Sequence, residues 1–329
     1  MKKPMFLLLA LILACSLIFT GCRRERGDEV FTITIASPSS PIDNTVRGFF
    51  HFQELVEERS GGRIRVNVAH SAQLGDSRDY MEQMQMGAIE AAEVNVAVMS
   101  AFDPTFMVFE LPYVSRSVEH LRGLLDGGLQ QRFSDSLESR TGVKVLSFMI
   151  RSPRNMYIST RPVRTVEDFA GMRVRIMESP VHHRTFELLG AVPIPISASE
   201  RFMALQTGVA DAAENSVQLI VAQSEYEVTR YLSLTEHFIA PNVFAMSARF
   251  FNSLPADLQE IVRQAGEEAA RYTTRLDLEG DAEAIRFLTE RGMIVNHIYD
   301  KTPFVERVRP IFDEFRGQIG GDLLDAFTG

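Results

Sequence analysis

Val30-Phe-Thr-Ile-Thr-Ile-Ala36 alternates β-branched and apolar residues at the period of a strand, and the Ser/Pro-rich segment 37–41 breaks it. Over 45–58 the apolar residues Val46, Phe49, Phe50, Phe52 and Val56 recur around a helical period, and Gly61-Gly62 ends the run. Residues 63–69 read as a second strand, 79–86 as a short helix stopped by Gly87, and 88–94 as a third strand of small residues. A βαβαβ order of this kind sets parallel strands side by side and leaves a ligand edge at their carboxyl ends. The alternation returns in the second half, with strands near 143–148, 173–177 and 191–196. Helices fall at 180–189 and 199–207, the latter capped by Gly208. Residues 217–231 read as a further helix. A long run of helix formers then fills 255–290, where Gly266 and Gly280 are the two places it could kink, each costing about 1 kcal/mol of propensity. The fold class is α/β, with two lobes.

Composition agrees with that size. The roughly 300 residues after the leader, in a chain that is 45% hydrophobic, suit a two-domain globular protein. A net charge of -9 argues against a nucleic-acid surface, and the longest basic block is Arg23-Arg24-Glu25-Arg26. The amino terminus has the layout of a secretory signal: charged Lys2 and Lys3, then an almost wholly apolar stretch over 6–19. It closes at Phe19-Thr20-Gly21-Cys22, which resembles a bacterial lipobox with Cys22 as the lipidated residue. The leader is therefore expected over 1–21, a tether over 22–29, and a location in the periplasm, anchored to the inner or the outer membrane. No Cys follows Arg23, so no disulfide is expected in the body.

Enzyme signatures are thin. No G-x-S-x-G elbow, H-E-x-x-H, Walker loop or G-x-G-x-x-G follows a strand. His182-His183 looks like a metal cue, yet adjacent helical residues point about 100° apart and ligate one ion poorly. The pair reads as a solvated first turn after Ser179-Pro180. No catalytic residue, cofactor or metal is expected.

The most informative segment is Gly171-Met-Arg-Val-Arg-Ile176 followed by Ala204-Leu-Gln-Thr-Gly-Val-Ala-Asp-Ala-Ala-Glu-Asn215. A guanidinium at a strand end and a carboxamide forty residues later can grip a carboxylate without reacting with it. The segment closely resembles the solute receptors of tripartite ATP-independent periplasmic (TRAP) transporters, which read G-x-K-x-R-V and A-L-Q-T-G-x-x-D-G-x-E-N-P. Ala212 and Ser216 depart from that pattern where it has Gly and Pro. Residues 63–75 and Phe109-Glu-Leu-Pro-Tyr113 are similar to two further family segments, and the resemblance extends over most of 30–324.

The resemblance implies a two-lobed periplasmic binding protein-like fold, each lobe a mostly parallel sheet with helices on both faces, plus a long bracing helix. It divides the chain into 30–152 with 241–280 as lobe I and 153–240 with 281–329 as lobe II. It also implies a receptor that takes an organic acid in an interlobe cleft and passes it to an integral membrane carrier. Arg175 maps to the family's carboxylate-clamping arginine, with Arg173 as its rival. Arg154 maps to a second cation, with Arg151 as rival, and Asn215 to the amide that closes the other side; Glu214 reads as structural. Asn95, Asn242 and Phe244 map to positions facing the cleft. Asn95 replaces a glutamate of the sialic-acid receptors, Ala198 leaves room, and no Trp offers a sugar platform. These features lean toward acids with aliphatic, branched or aromatic bodies over sugar acids. The alternatives are a secreted lipoprotein enzyme acting on a small carboxylate and a receptor of the ATP-driven class.

Overall fold

The computed structural model describes residues 30–329; the leader, Cys22 and the tether lie outside them. Eleven strands form two sheets. In chain order they are β1 (Phe31–Ala36), β2 (Ile64–Ala69), β3 (Ala91–Asn95), β4 (Val143–Met149), β5 (Arg154–Ile158), β6 (Arg173–Ile176), β7 (Val192–Pro195), β8 (Ala212–Asn215), β9 (Tyr231–Phe238), β10 (Asn242–Ser247) and β11 (Ile294–His297). The first sheet has the order β2-β1-β3-β10-β4 and the second β11-β9-β5-β8-β6-β7. Each is largely parallel, as the βαβ pattern requires. The exceptions are β10, antiparallel to both its neighbours, and β5, likewise.

Those two strands exist because the chain crosses between the sheets. β4 runs on into β5 through residues 150–153, and β9 into β10 through 239–241. The crossings lie side by side, since Asn242 pairs with Met149 and Arg154 with Phe238. A third connection is the helix Ala256–Glu290, which packs on helix Asn44–Arg59 and β4 near its start and on helix Val217–Ala222 and β11 further along. It runs unbroken through both glycines. At Gly266 a Cβ would meet the Leu146 side chain at 2.7 Å, and at Gly280 one would strike Gln218. These glycines permit close packing and do not bend the helix.

The segment 217–231, read as one helix, is instead a short helix (Val217–Ala222), a 3-10 turn (Glu225–Glu227) and the start of β9. The alternation Leu232, Ser233, Leu234, Thr235 carries the strand signal, with both leucines buried against Ala284 and Leu288 of the long helix. The carboxyl-terminal helices reach the segment between β3 and β4. Phe327 stacks edge-on against Phe109 at 5.5 Å, inside the cluster of Phe106, Phe133 and Phe148. The last helix, Gly321–Thr328, therefore packs on the 3-10 helix Pro104–Glu110, which carries Phe106 and Phe109, and on the helix before it, Pro310–Ile319.

Candidate ligand-binding site

Because β1, β2, β3, β6, β7 and β8 are parallel within their sheets, their carboxyl ends gather at one cleft. The cleft holds a cavity of about 230 Å³, below the roughly 300–1,000 Å³ usual for drug-sized ligands.

One wall comes from the first sheet. Ser37 Oγ donates to Glu93 Oε2 at 2.5 Å, Ser39 Oγ to Oε1 at 3.4 Å, and Asn242 Nδ2 to Oε1 at 2.5 Å. Asn95 Nδ2 donates to Asn242 Oδ1 at 3.0 Å, while Asn95 Oδ1 caps the next helix at Ala97 N. Ser71 and Ala72 face the cavity with φ of 54° and 56°, a left-handed conformation unfavourable for residues with a Cβ. Their amides donate to the Ser39 and Ser37 carbonyls, and these bonds hold the strained turn.

The second wall is cationic. Arg154 grips Glu214 through Nε and, at 2.7 Å, through Nη2, which also donates to the Glu214 carbonyl; among the described residues Nη1 makes no hydrogen bond. Burial alone would raise the Glu214 carboxyl, but Arg154 holds it well below the ordinary range. Glu214 is structural, as read. Asn215 at the end of β8 spends Oδ1 on the Ser216 amide and keeps Nδ2 unpaired. Arg201 bonds Glu225 at 2.6 Å.

Arg175 is different. It is 0% exposed and, among the described residues, has no carboxylate within ion-pair distance and leaves Nε and Nη1 without partners. Nη2 lies 3.2 Å from the Met177 sulfur, and Met177, not Arg175, lines the cavity. Burial first, then Arg201, pull its pKa down to about 10. The rivals are occupied. Arg173 is exposed and bidentate to Asp211, while Arg151 is bound by Asp43, Thr45 and Asp277.

A match to the family described as bacterial extracellular solute-binding protein, family 7, spans residues 34–318. The chain belongs to this family. The receptor is 30% identical to a TRAP periplasmic solute-binding protein from Sulfitobacter sp. NAS-14.1 crystallised with β-D-galacturonate. That match has a TM-score of 0.86 and covers 90% of this chain and 99% of that one. A TRAP protein from Sulfurospirillum deleyianum with bound succinate is 27% identical, with a TM-score of 0.86 and coverage of 91% and 98%. A solute-binding protein of Chromohalobacter salexigens is 31% identical over 281 residues, 85% of this chain and 82% of its own. The receptor thus has the two-lobed fold of periplasmic TRAP receptors, whose role is transport and not covalent chemistry. Among the described residues no helix is long and apolar enough to cross a membrane.

Two readings need correction. Phe244 does not reach the cavity: two residues deeper in β10 than Asn242, it is fully buried against Phe49 and Phe52 at 4.9 and 5.0 Å. His182 is not in a solvated turn. It is 1% exposed and stacks on Phe238 at 4.5 Å, whereas His183 faces solvent beside Glu187. The linked side chains of Ser37, Ser39, Glu93, Asn95 and Asn242 form a polar network at the first wall, of which only Asn95 and Asn242 were expected. They come from the ends of different strands, so no local pattern announces them. Met177, Glu93, Arg201 and Glu225 were likewise missed; only the sheet topology brings them to one cavity.

Two buried carboxyls make stability depend on pH. Burial and then Asp43 raise Glu93 to about 7, against the pull of Ser37, Arg151 and Ser39. Burial raises Glu110 to about 8. Both bind their proton more tightly in the folded state, so their contribution is full below pH 4.5 and is lost as pH rises through about 7 and 8. His182, drawn down to about 3 by burial, acts oppositely, and only as pH falls below 6.5. The thermal midpoint of the ligand-free receptor should therefore fall between pH 6.5 and 8, and Glu110→Gln should flatten that decline. An equally steep profile in the variant would refute the assignment.

Proposed function

We propose that the receptor captures a small hydroxylated organic acid in this cleft and delivers it to the membrane subunits of a TRAP carrier driven by an ion gradient. Arg175 clamps the acid's carboxylate, Arg154 Nη1 and Asn215 Nδ2 flank it, and Asn95 and Asn242 face its body. The observation that carries this reading is a fully buried guanidinium with no carboxylate within ion-pair distance among the described residues. Elsewhere among the described residues the buried arginines are paired with carboxylates, as desolvation demands. An anion from outside the chain is the partner that fits Arg175. For the carboxylate to reach it, Met177 swings aside, and the lobes close over the ligand about the 150–153 and 239–241 crossings. A lipid on Cys22 would hold the receptor at the membrane.

The Ser37–Glu93–Asn242 network and the uronate bound by the Sulfitobacter relative support a hydroxylated body. A thermal-shift screen of organic acids is expected to show larger stabilisation by uronic or aldonic acids than by 2-oxo acids with aliphatic or aromatic bodies. A reversed ranking would reject the hydroxylated body, and no response to any acid would reject the acid receptor itself.

A further inference from the structure

Arg201 and Glu225 line the cavity as a charged pair that the carboxylate clamp does not use. Arg201 is 4% and Glu225 1% exposed. Arg201 spends only Nε, on Glu225 Oε1; its Nη groups make no hydrogen bond within the protein and are not sealed from the cavity. Among the described residues Glu225 Oε2 and the buried Tyr157 hydroxyl make no hydrogen bond of normal geometry, and Tyr157 does not itself line the cavity. Burial, first, raises that hydroxyl's pKa, Arg201 and Arg175 oppose it, and Glu225 raises it both by its charge and as the acceptor nearest to it, which puts Tyr157 against the Glu225 carboxylate.

A pair that served only to tie elements together would use both carboxylate oxygens, as Arg154 and Glu214 do. Here donors and an acceptor are left unspent side by side. Leaving such groups unpaired on burial costs about 1–3 kcal/mol each. A second carboxylate is a poor occupant, because Glu225 already neutralises Arg201 and its free oxygen repels an anion. A hydroxyl donates to the carboxylate and accepts from the guanidinium, and two adjacent hydroxyls do both at once. Phe202 and Leu219 on the same cavity give the carbon skeleton an apolar surface.

We propose that Arg201 and Glu225, with Tyr157 positioning the Glu225 carboxylate, form a hydroxyl-recognition subsite that selects acids carrying adjacent hydroxyls over acids that lack them. This rests on the carboxylate-receptor reading and narrows its ligand class. The test is calorimetric titration of the wild-type receptor, the Arg201→Gln/Glu225→Gln double variant and Tyr157→Phe with D-galacturonate and with succinate. The double variant removes both charges together, so neither is left buried alone. The preference for galacturonate over succinate is expected to fall by about tenfold or more in the double variant. In Tyr157→Phe it should fall by a smaller factor, and this variant carries the test if the double one does not fold. Unchanged preference, or equal loss for both acids, overturns the subsite and assigns the pair a structural role. Wild-type binding of succinate alone also overturns it while leaving the carboxylate clamp standing. Binding of neither acid overturns both.

Discussion

Replacing Arg175 with Ala is expected to abolish measurable acid binding while leaving the ligand-free receptor as stable as before, or more so. The two effects have one cause. The guanidinium is sealed from solvent with two nitrogens unpaired among the described residues and a thioether as its one hydrogen-bond partner there, so in the empty protein its charge is poorly compensated. Its downward shift to about 10 expresses that cost. With ligand present the same charge meets a carboxylate in a low-dielectric site, where a charge-assisted bidentate pair forms. Loss of one partner then costs on the order of 2–4 kcal/mol, roughly 30- to 1,000-fold in affinity. Lys should rescue little, because it lacks the planar fork. Calorimetry with the natural acid and thermal melts without it are the measurements. Near-wild-type affinity would remove Arg175 from the site, and a large loss of ligand-free stability would make its role structural.

Arg151→Ala should have the opposite profile, a loss of about 3–5 kcal/mol of folding stability. Arg151 follows β4 in the crossing to the second sheet, and three nitrogens hold two acids from distant elements. Asp43 caps helix Asn44–Arg59 and receives Nη1 and Nη2 at 3.1 Å; Asp277, within the long helix, receives Nε at 3.0 Å. Both carboxylates are fully buried, so removing the cation leaves two like charges facing each other without solvent. Burial already pushes the Asp277 carboxyl up, with Arg151 as the main opposing influence. Urea unfolding of the ligand-free receptor measures the loss. Neutralising the set together, as Arg151→Met with Asp43→Asn and Asp277→Asn, should recover most of it, because no charge is then stranded. A small effect of Arg151→Ala would mean that water or a neighbouring cation reaches the acids.

The sequence and the structure agree best where the interactions are local. The strand at Val30–Ala36 and the helix over 180–189 were legible because alternation, helical period and the caps Ser179 and Gly190 act within a few residues. β9 was lost because helix formers in 217–227 run straight into its alternating leucines. The local preference there is overridden by pairing with β5 and β11. His182 shows the same limit: its helix position was read correctly, but its burial depends on Phe238 from another strand.

What the sequence by itself determined is the α/β class, the parallel order of the early strands, the family, and the residues from which a carboxylate clamp can be drawn. These follow from periodicity and from motifs whose chemistry is carried by neighbouring residues. Tertiary structure decided which of the candidate cations is free. Arg151, Arg154, Arg173 and Arg201 have carboxylate partners that lie far off in the chain or on other elements; among the described residues Arg175 has none. It also decided the character of the cavity, since Glu93, Asn242, Met177 and Glu225 meet only when two sheets and their crossings are in place. Charge pairing and desolvation depend on distances through space, and a linear chain does not contain them.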